Sequence, residues 1–485
     1  MISLTSWLSK LDAEKILLVE IDPDGAPVYI ADTSYITEPG DVPANQPYTP
    51  VIAQNGIPRL SRKIQEVFGG RSMASWGALE LATPFVGDED LAAVNLRGLP
   101  VNVLLTGPRA HVDHADAVTV LTGRIGVKSG NVDDSLTIEI EDDQASWDGV
   151  ELPPNQYDGT ESASFPVSNI GLSKPICLGL CRNVSGVLID QSNFTYQFHD
   201  GSVAAMQSID TVYDNGVAVS VTNVDLAAGT ARLSAPPAGR ITADVKGVKD
   251  GVTFIDDTAS IIDWLALTFG GAPTIDITGL PIDTIGFYLN SRTNLSNTIT
   301  RLMQGVFGWW GFDRLGVFKA RLFQVPAGDG QSFGESKHIS DLTWSEEDQL
   351  IWSVPLAYRY NWTALEPALS IDADTATWLR GDGYKTRVED INIKNTCLHA
   401  TTATLIQTYF DSKAAVDAVG ARVLALFGVL RRRAQVSLPI TDPMLELGGE
   451  LTLADADVMD GDYILVGLAD EWDGEIPLVN VELWG

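Results

Sequence analysis

Cys177 and Cys181 form a C-x3-C pair, and Cys397 with His399 forms C-x-H. Thiolate and imidazole are the ligands zinc takes, and thiolates also hold iron–sulfur clusters, so these four residues are the candidate metal set. The competing reading makes each cysteine a small hydrophobe, as free cysteines in cores commonly are. Three cysteines cannot build a disulfide framework. The expectation taken is structural cysteine with no cofactor, in a chain that folds in a reducing cytoplasm. A second cluster, His111-Val112-Asp113-His114 with Asp116, lies in a polar stretch between two predicted strands. It lacks the spacing that sets two ligands on one helix face and is read as a solvated loop. No nucleophile elbow, Walker loop or dinucleotide fingerprint occurs. Acid pairs such as Asp133/Asp134 and Asp142/Asp143 abound, but among 64 carboxylates chance pairs say little about glycoside cleavage. The reading is therefore no catalytic residue and no enzyme.

Trp309, Trp310, Phe312 and Phe318 form the densest aromatic patch. Core packing is the default for such a patch, and a subunit interface, where Trp and Phe are enriched, is the alternative. Arg431, Arg432 and Arg433 follow a predicted helix, where cations suit the dipole, or else reach a partner's acidic rim. Trp309, Trp310, Phe312 and Arg431–Arg433 are thus the interface candidates.

The chain carries 64 Asp and Glu against 32 Lys and Arg, a net charge of −32. Such a balance favours solubility and repels nucleic acid, and duplex binding wants a basic face instead. A pore through which DNA slides without sticking would favour it. At 485 residues, two to four domains are expected. No apolar run is long enough to span a membrane, and the first ten residues lack the pattern of a signal peptide.

Strand signals dominate the elements that must position these residues. A short helix is expected at Ser6–Lys15, then strands Lys15–Ile21 and Val28–Ala31. Glu38–Pro58 holds five prolines and is read as a long loop, functional or an arm onto a neighbour. Strands follow at Ala78–Ala82, Val101–Thr106, Val118–Ile125 and Leu136–Asp142. After a Pro/Asn/Gly/Ser-rich boundary at Asp148–Lys174, a third β set runs to Val245, with Tyr213-Asp214-Asn215-Gly216 as a type I′ hairpin signal. Helices are expected at Asp256–Phe269 (cap Asp257 or Thr258), Leu295–Val306 (cap Asn294) and Asp411–Phe427 (cap Asp411 or Ser412). Gly308–Phe323 reads as a hairpin, Gly328–Ser336 as a polar linker and Ile351–Trp362 as an aromatic strand. Four closing strands, Ala434–Ile440, Glu450–Leu453, Asp462–Asp470 and Pro477–Trp484, end the chain on a paired strand. The fold class is mainly β with a few helices, in several domains: 1–150 with a proline-rich arm at 39–58, an inserted β domain at 165–250, a helix-plus-hairpin unit at 251–335, and 336–485.

The closing residues, with LELGGELTL, GDYILVGLADEW and VELWG, resemble the last barrel of phage tail-tip (baseplate) hub proteins of long-tailed phages. The string from the Leu-rich strand at 78 through LTGRI to LTIEIED is similar to the first tube-like barrel of hub and distal-tail proteins. Lys174–Gly247 is similar to an inserted β domain of tail hubs. The resemblance implies two tail-tube-like β-barrels with smaller inserted domains. It also implies a homotrimer that joins a sixfold tail tube to a threefold tip and forms a channel for DNA ejection. Implied partners are distal tail, tail tube, tape measure and tail fibre or tip proteins, in a virion assembled in the host cytoplasm. Some tail-tip hubs hold an iron–sulfur cluster on four cysteines, one more than this chain has. A hexameric distal-tail ring and a host-surface carbohydrate-binding tail protein are the alternatives.

Overall fold

The computed structural model describes residues 3–485 apart from 9, 11–12, 55, 65–69, 132–133, 273, 335–339, 347–349, 440–444, 455–458 and 472–477. Part of several predicted elements, including Ile440, Pro477 and residues 335–336, lies outside the described residues.

Near the N-terminus, Val28–Ala31, Ile16–Ile21, Pro100–Thr106, Val118–Asn131, Ser135–Glu141 and Ala78–Leu81 lie side by side in that order, all antiparallel. Val19, Ile21, Val101, Val103, Leu105 and Ile138 turn inward at period two and fill one core. The two ends of this sheet meet. Pro47–Pro50 runs parallel to Val28–Ala31, and the chain beyond it pairs with Ala78–Leu81. Ala82 N–H donates to the Val51 carbonyl (2.8 Å) and Ala53 N–H to that of Glu80 (2.9 Å). The sheet is thereby closed into a barrel. At Gly56 a Cβ would lie 2.3 Å from the Glu80 carbonyl oxygen, so only glycine permits this approach.

The proline-rich stretch, expected as a loop or arm over 38–58, is thus partly a barrel strand. Its prolines stand at the ends of Pro47–Pro50, where a missing N–H costs the ladder little. Residues 35–48 fold back as a hairpin whose Tyr35 and Tyr48 cover Ile16, Leu18 and Ala31 on the barrel's outer face.

A second sheet holds the chain's end. Gln331–Gly334, Glu450–Ala454, Gly461–Glu471, Leu478–Trp484, Arg432–Pro439 and Ser340–Glu346 pair in that order. The predicted linker after Gly328 therefore contains a strand. Gly461–Glu471 bends where its register shifts between Leu465 and Gly467, and beyond the bend it takes a second partner, Ser61–Ile64. The hairpin Ser61–Ile64/Gly70–Ser75 leaves the first barrel and joins this sheet. It continues into Gly308–Phe312, Phe318–Leu322 and Ile275–Asp276. The boundary expected near residue 150 is not a clean one, because Ser61–Lys63 pair with Gly467–Ala469 near the opposite end of the chain.

Between the two sheets, Ile176–Ser185 pairs first with Gly286–Leu289 and then with Ile241–Asp250, and the chain builds a smaller β unit with its own core. Its Asn215-Gly216 turn has φ 47° and 85°, as the type I′ signal requires. Three capped helices stand near the expected positions. Asp257 and Ser260 form a capping box on Thr258–Thr268, Asn294 caps Leu295–Gly305, and Ser412 caps Lys413–Phe427. The first helix is shorter than expected, Leu4–Leu8. Helices Ala373–Arg380 and Ile391–Thr396 had no sequence expectation.

Candidate functional site: the buried arginine junction

The hairpin Gly308–Phe312/Phe318–Leu322 turns through Asp313-Arg314-Leu315-Gly316. Asp313 Oδ1 accepts from the amides of Leu315 and Val317, both at 2.9 Å, and Gly316 takes φ 75°. This rigid turn drives Arg314 into the protein, with a side chain only 2% exposed. Its Nε donates to Glu446 Oε1 (3.1 Å) and its Nη2 to the Leu445 carbonyl (3.1 Å). Nη1 donates to Asp470 Oδ2 (3.3 Å) and to the Val120 carbonyl (3.4 Å). The Arg314 carbonyl in turn accepts from the Thr122 amide at 2.7 Å.

Arg62, fully buried, completes the cluster. It donates to Glu446 Oε2 and to the Phe312 carbonyl. Two guanidinium groups therefore face two carboxylates, and the cluster is neutral as a whole. Burial pushes the Asp470 carboxyl above its ordinary range, and Arg314 pulls it part of the way back. Val120 and Thr122 belong to the first barrel, whereas Asp470, Arg62 and Glu446 belong to the second sheet or its loops. Two bonds of the junction cross to the first barrel, from Arg314 Nη1 to the Val120 carbonyl and from the Thr122 amide to the Arg314 carbonyl, while the ion pairs hold Arg314 in place from the other side.

Trp309, Trp310 and Phe312 are 2%, 0% and 1% exposed, which corrects their assignment as interface candidates. Both faces of their strand are covered. Trp310 stacks on Trp147 (5.8 Å between centroids) and donates to Thr300 Oγ1 at 2.9 Å, while Trp309 packs against Gly448. The arginine run is spent within the chain. Arg431 donates to the Leu426 and Ala425 carbonyls at 2.9 and 3.2 Å, capping Lys413–Phe427, and lies over the Trp484 ring. Arg432 lies over Trp344, and Arg433 pairs with Glu482 at 3.1 Å.

Cys177 and Cys181 are neighbours in the core of the inserted unit, where burial pushes the Cys177 thiol up. His199 Nδ1 accepts from the Cys177 amide (3.1 Å), so Nε2 carries the proton to the Ala204 carbonyl (2.8 Å). Burial lowers this imidazole's pKa and keeps it neutral. Cys397 and His399 are not brought to this pair, and among the described residues no three His, Cys, Asp or Glu converge as metal ligands. His111 and Asp116 are exposed, as the solvated-loop reading has it, with His111 stacked on Trp7 of the first helix, whereas His114 is buried with its Nδ1 3.3 Å from the Tyr35 hydroxyl, so the loop packs in part on the hairpin.

Arg314, Arg62, Glu446 and Asp470 were missed by sequence reasoning. One signal was available: Leu60-x-Arg62-x-Ile64 alternates, and Arg62 sits at an inward position.

No protein-family model and no curated protein matches the chain. Solved structures similar to it include the tail protein from Neisseria meningitidis MC58, 10% identical, covering 97% of each chain at a TM-score of 0.46. A second is the 43 kDa tail protein of prophage MuSo2 from Shewanella oneidensis, 10% identical, covering 96% of this chain and 98% of that one at 0.39. A third is a chain of the native gene transfer agent virion, 13% identical, covering 64% and 84% at 0.45.

Proposed function

We propose that the chain is a structural component of a phage virion, the central hub of a tail tip, rather than an enzyme. The observation that carries this reading is the pairing of a closed barrel with a second large sheet, fastened by a shared hairpin and the Arg314 junction. Such a unit presents a closed barrel and a second sheet in fixed relation, the second sheet serving in this reading as the other tube-like unit. Three copies would set six of them in a ring, matching a sixfold tube above and a threefold tip below. The residue-level resemblance to hub proteins in both sheets points the same way. Among the described residues, Ser340–Glu346 ends the second sheet with one neighbour only, an edge suited to pairing with an adjacent chain. The acidic excess of 32 charges suits a lumen that DNA traverses by like-charge repulsion. In this reading the chain meets distal tail, tube, tape measure and tip proteins.

The mass of the native particle by light scattering tests the proposal. Three copies is the expected result. Six copies would overturn the hub in favour of a sixfold distal-tail ring. A monomer that also fails to bind tail-tube protein would overturn both.

A further inference from the structure

The hairpin of residues 35–48 lies on the outside of the first barrel, and its hold there is narrow. Among the described residues, the backbone hydrogen bonds of residues 35–46 stay within the hairpin. Thr37 N–H donates to the Gln46 carbonyl (3.1 Å), and the amides of Asp41 and Asn45 donate to that of Glu38 (3.1 and 3.2 Å). Thr37 Oγ1 donates to the Pro43 carbonyl, and Asp41 Oδ2 accepts from the Glu38 amide, both at 2.6 Å. The hairpin is thus satisfied internally, and its two legs enter the barrel's pairing only at Asp32 and Thr49. Lifting it breaks no strand pairing of the barrel.

Side chains fasten it. Arg109, in the loop between Pro100–Thr106 and Val118–Asn131, reaches Glu38 (2.9 Å) and Asp41 (3.1 Å) on the hairpin and Asp113 (3.2 Å) on its own loop. The Tyr35 hydroxyl lies 3.3 Å from His114 Nδ1, and Arg109 and Thr106 also meet it. The Tyr48 hydroxyl donates to Glu20 at 2.6 Å. One guanidinium therefore serves three carboxylates. When the hairpin leaves, Arg109 keeps Asp113, so opening strands no buried charge. Beneath the hairpin, Ile16, Leu18 and Ala31 form an apolar strip on two strands, with Leu104 beside it on a third. Away from the barrel, Ile36 and Val42 are 61% and 90% exposed, so the hairpin carries apolar residues on both sides and buries only one of them.

We infer that residues 35–48 are a displaceable strap, latched by Arg109, that masks an apolar strip on the outside of the first barrel. Closed, the strap keeps the outward side chains of Ile16, Leu18 and Ala31 from any other chain. Open, it presents them while the barrel beneath stays folded, since the inward set of Leu17, Val19 and Ile21 belongs to a different core. The latch thereby controls when this face of the barrel becomes adhesive. The inference is independent of the tail-hub reading and of the number of copies in the particle.

Iodoacetamide labelling of cysteine variants of the full chain tests it, with the label read position by position by peptide mass spectrometry. Ala31→Cys reports the strip under the strap, and Val19→Cys reports the inside of the same barrel. Ala31→Cys should label slowly, and about tenfold or more faster once Arg109→Gln is added, while Val19→Cys stays unlabelled in both backgrounds. Glu38→Gln with Asp41→Asn, which removes the latch from the strap's side, should speed Ala31→Cys in the same way and serves where Arg109→Gln fails to fold. Equal rates with the latch intact and removed would overturn the proposal. Ala31→Cys reacting in the otherwise unaltered chain as fast as in urea would show that the strap covers nothing. Val19→Cys labelling in step with Ala31→Cys would show unfolding of the barrel instead of a strap, and would overturn it as well.

Discussion

Arg314→Met removes four side-chain hydrogen bonds, three within the second sheet and its loops and one to the Val120 carbonyl of the first barrel, while keeping most of the side-chain volume. Glu446 retains Arg62, but Asp470, with a side chain 5% exposed, loses the cation that faces it. The Leu445 and Val120 carbonyls lose donors as well. Breaking a buried pair from one side costs about 3–5 kcal/mol, most of it from the charge left behind. We expect a loss in that range, read from the urea midpoint by tryptophan fluorescence with the m-value unchanged. The loss should shrink as the pH falls, because protonating Asp470 removes the uncompensated charge. Arg314→Met combined with Asp470→Asn should recover roughly 1–3 kcal/mol of it. A single-variant loss under about 1 kcal/mol, or a double variant no more stable than the single one, would refute the claim that the buried ion pairs stabilise the junction.

Burial pushes the Asp32 carboxyl up to about 6 from an ordinary value of 3.8, with its Oδ1 3.2 Å from the Leu17 amide. The folded state therefore gains stability below pH 3.8 and loses that gain as the pH rises through about 6. Asp32→Asn should raise stability at pH 8 by up to about 3 kcal/mol and change it little at pH 3.5, as thermal melts at the two pH values will show. Trp310→Ala should cost about 3–5 kcal/mol in chemical denaturation, since its ring is fully enclosed beside Trp147. Asn294→Ala should cost about 1 kcal/mol, because the side chain accepts from the Asn297 amide. In native protein, a thiol reagent should label Cys397 and spare the buried Cys177 and Cys181, all three reacting after unfolding.

What could be read from the sequence was local. Caps at Asn294 and Ser412 and the Asn215-Gly216 turn depend on residues within a few positions, so composition alone reveals them. The mainly β class followed from alternation such as that of Val436, Leu438 and their neighbours. What escaped was non-local. The closure of the first barrel at Ile52 and Leu81 pairs a proline-rich stretch with a strand about 30 residues on, against its own propensity. Alternation does not say which sheet a strand joins, so Ser61–Ile64 could not be placed. The candidate site was hidden for a related reason. Asp313-Arg314-Leu315-Gly316 has turn chemistry, and nothing in a turn announces that its arginine will be enclosed by segments from both ends of the chain. The aromatic strand was legible as hydrophobic but not as buried on both faces, because that depends on Trp147, far away in sequence.

The loan of residues 61–75 to the closing sheet also sets an order of events during synthesis. Lys63 pairs beside Gly467, about 400 positions later. At about 5–20 residues per second, the ribosome needs roughly 20–80 s to deliver that partner. Through that interval the first barrel can close while its lent hairpin waits, its outer edge open to any passing strand. A chain released early, even a few dozen residues short, never fills that edge. Completion of the second sheet thus depends on the last strands made, and covers the Ser61–Ile64 edge only when they arrive.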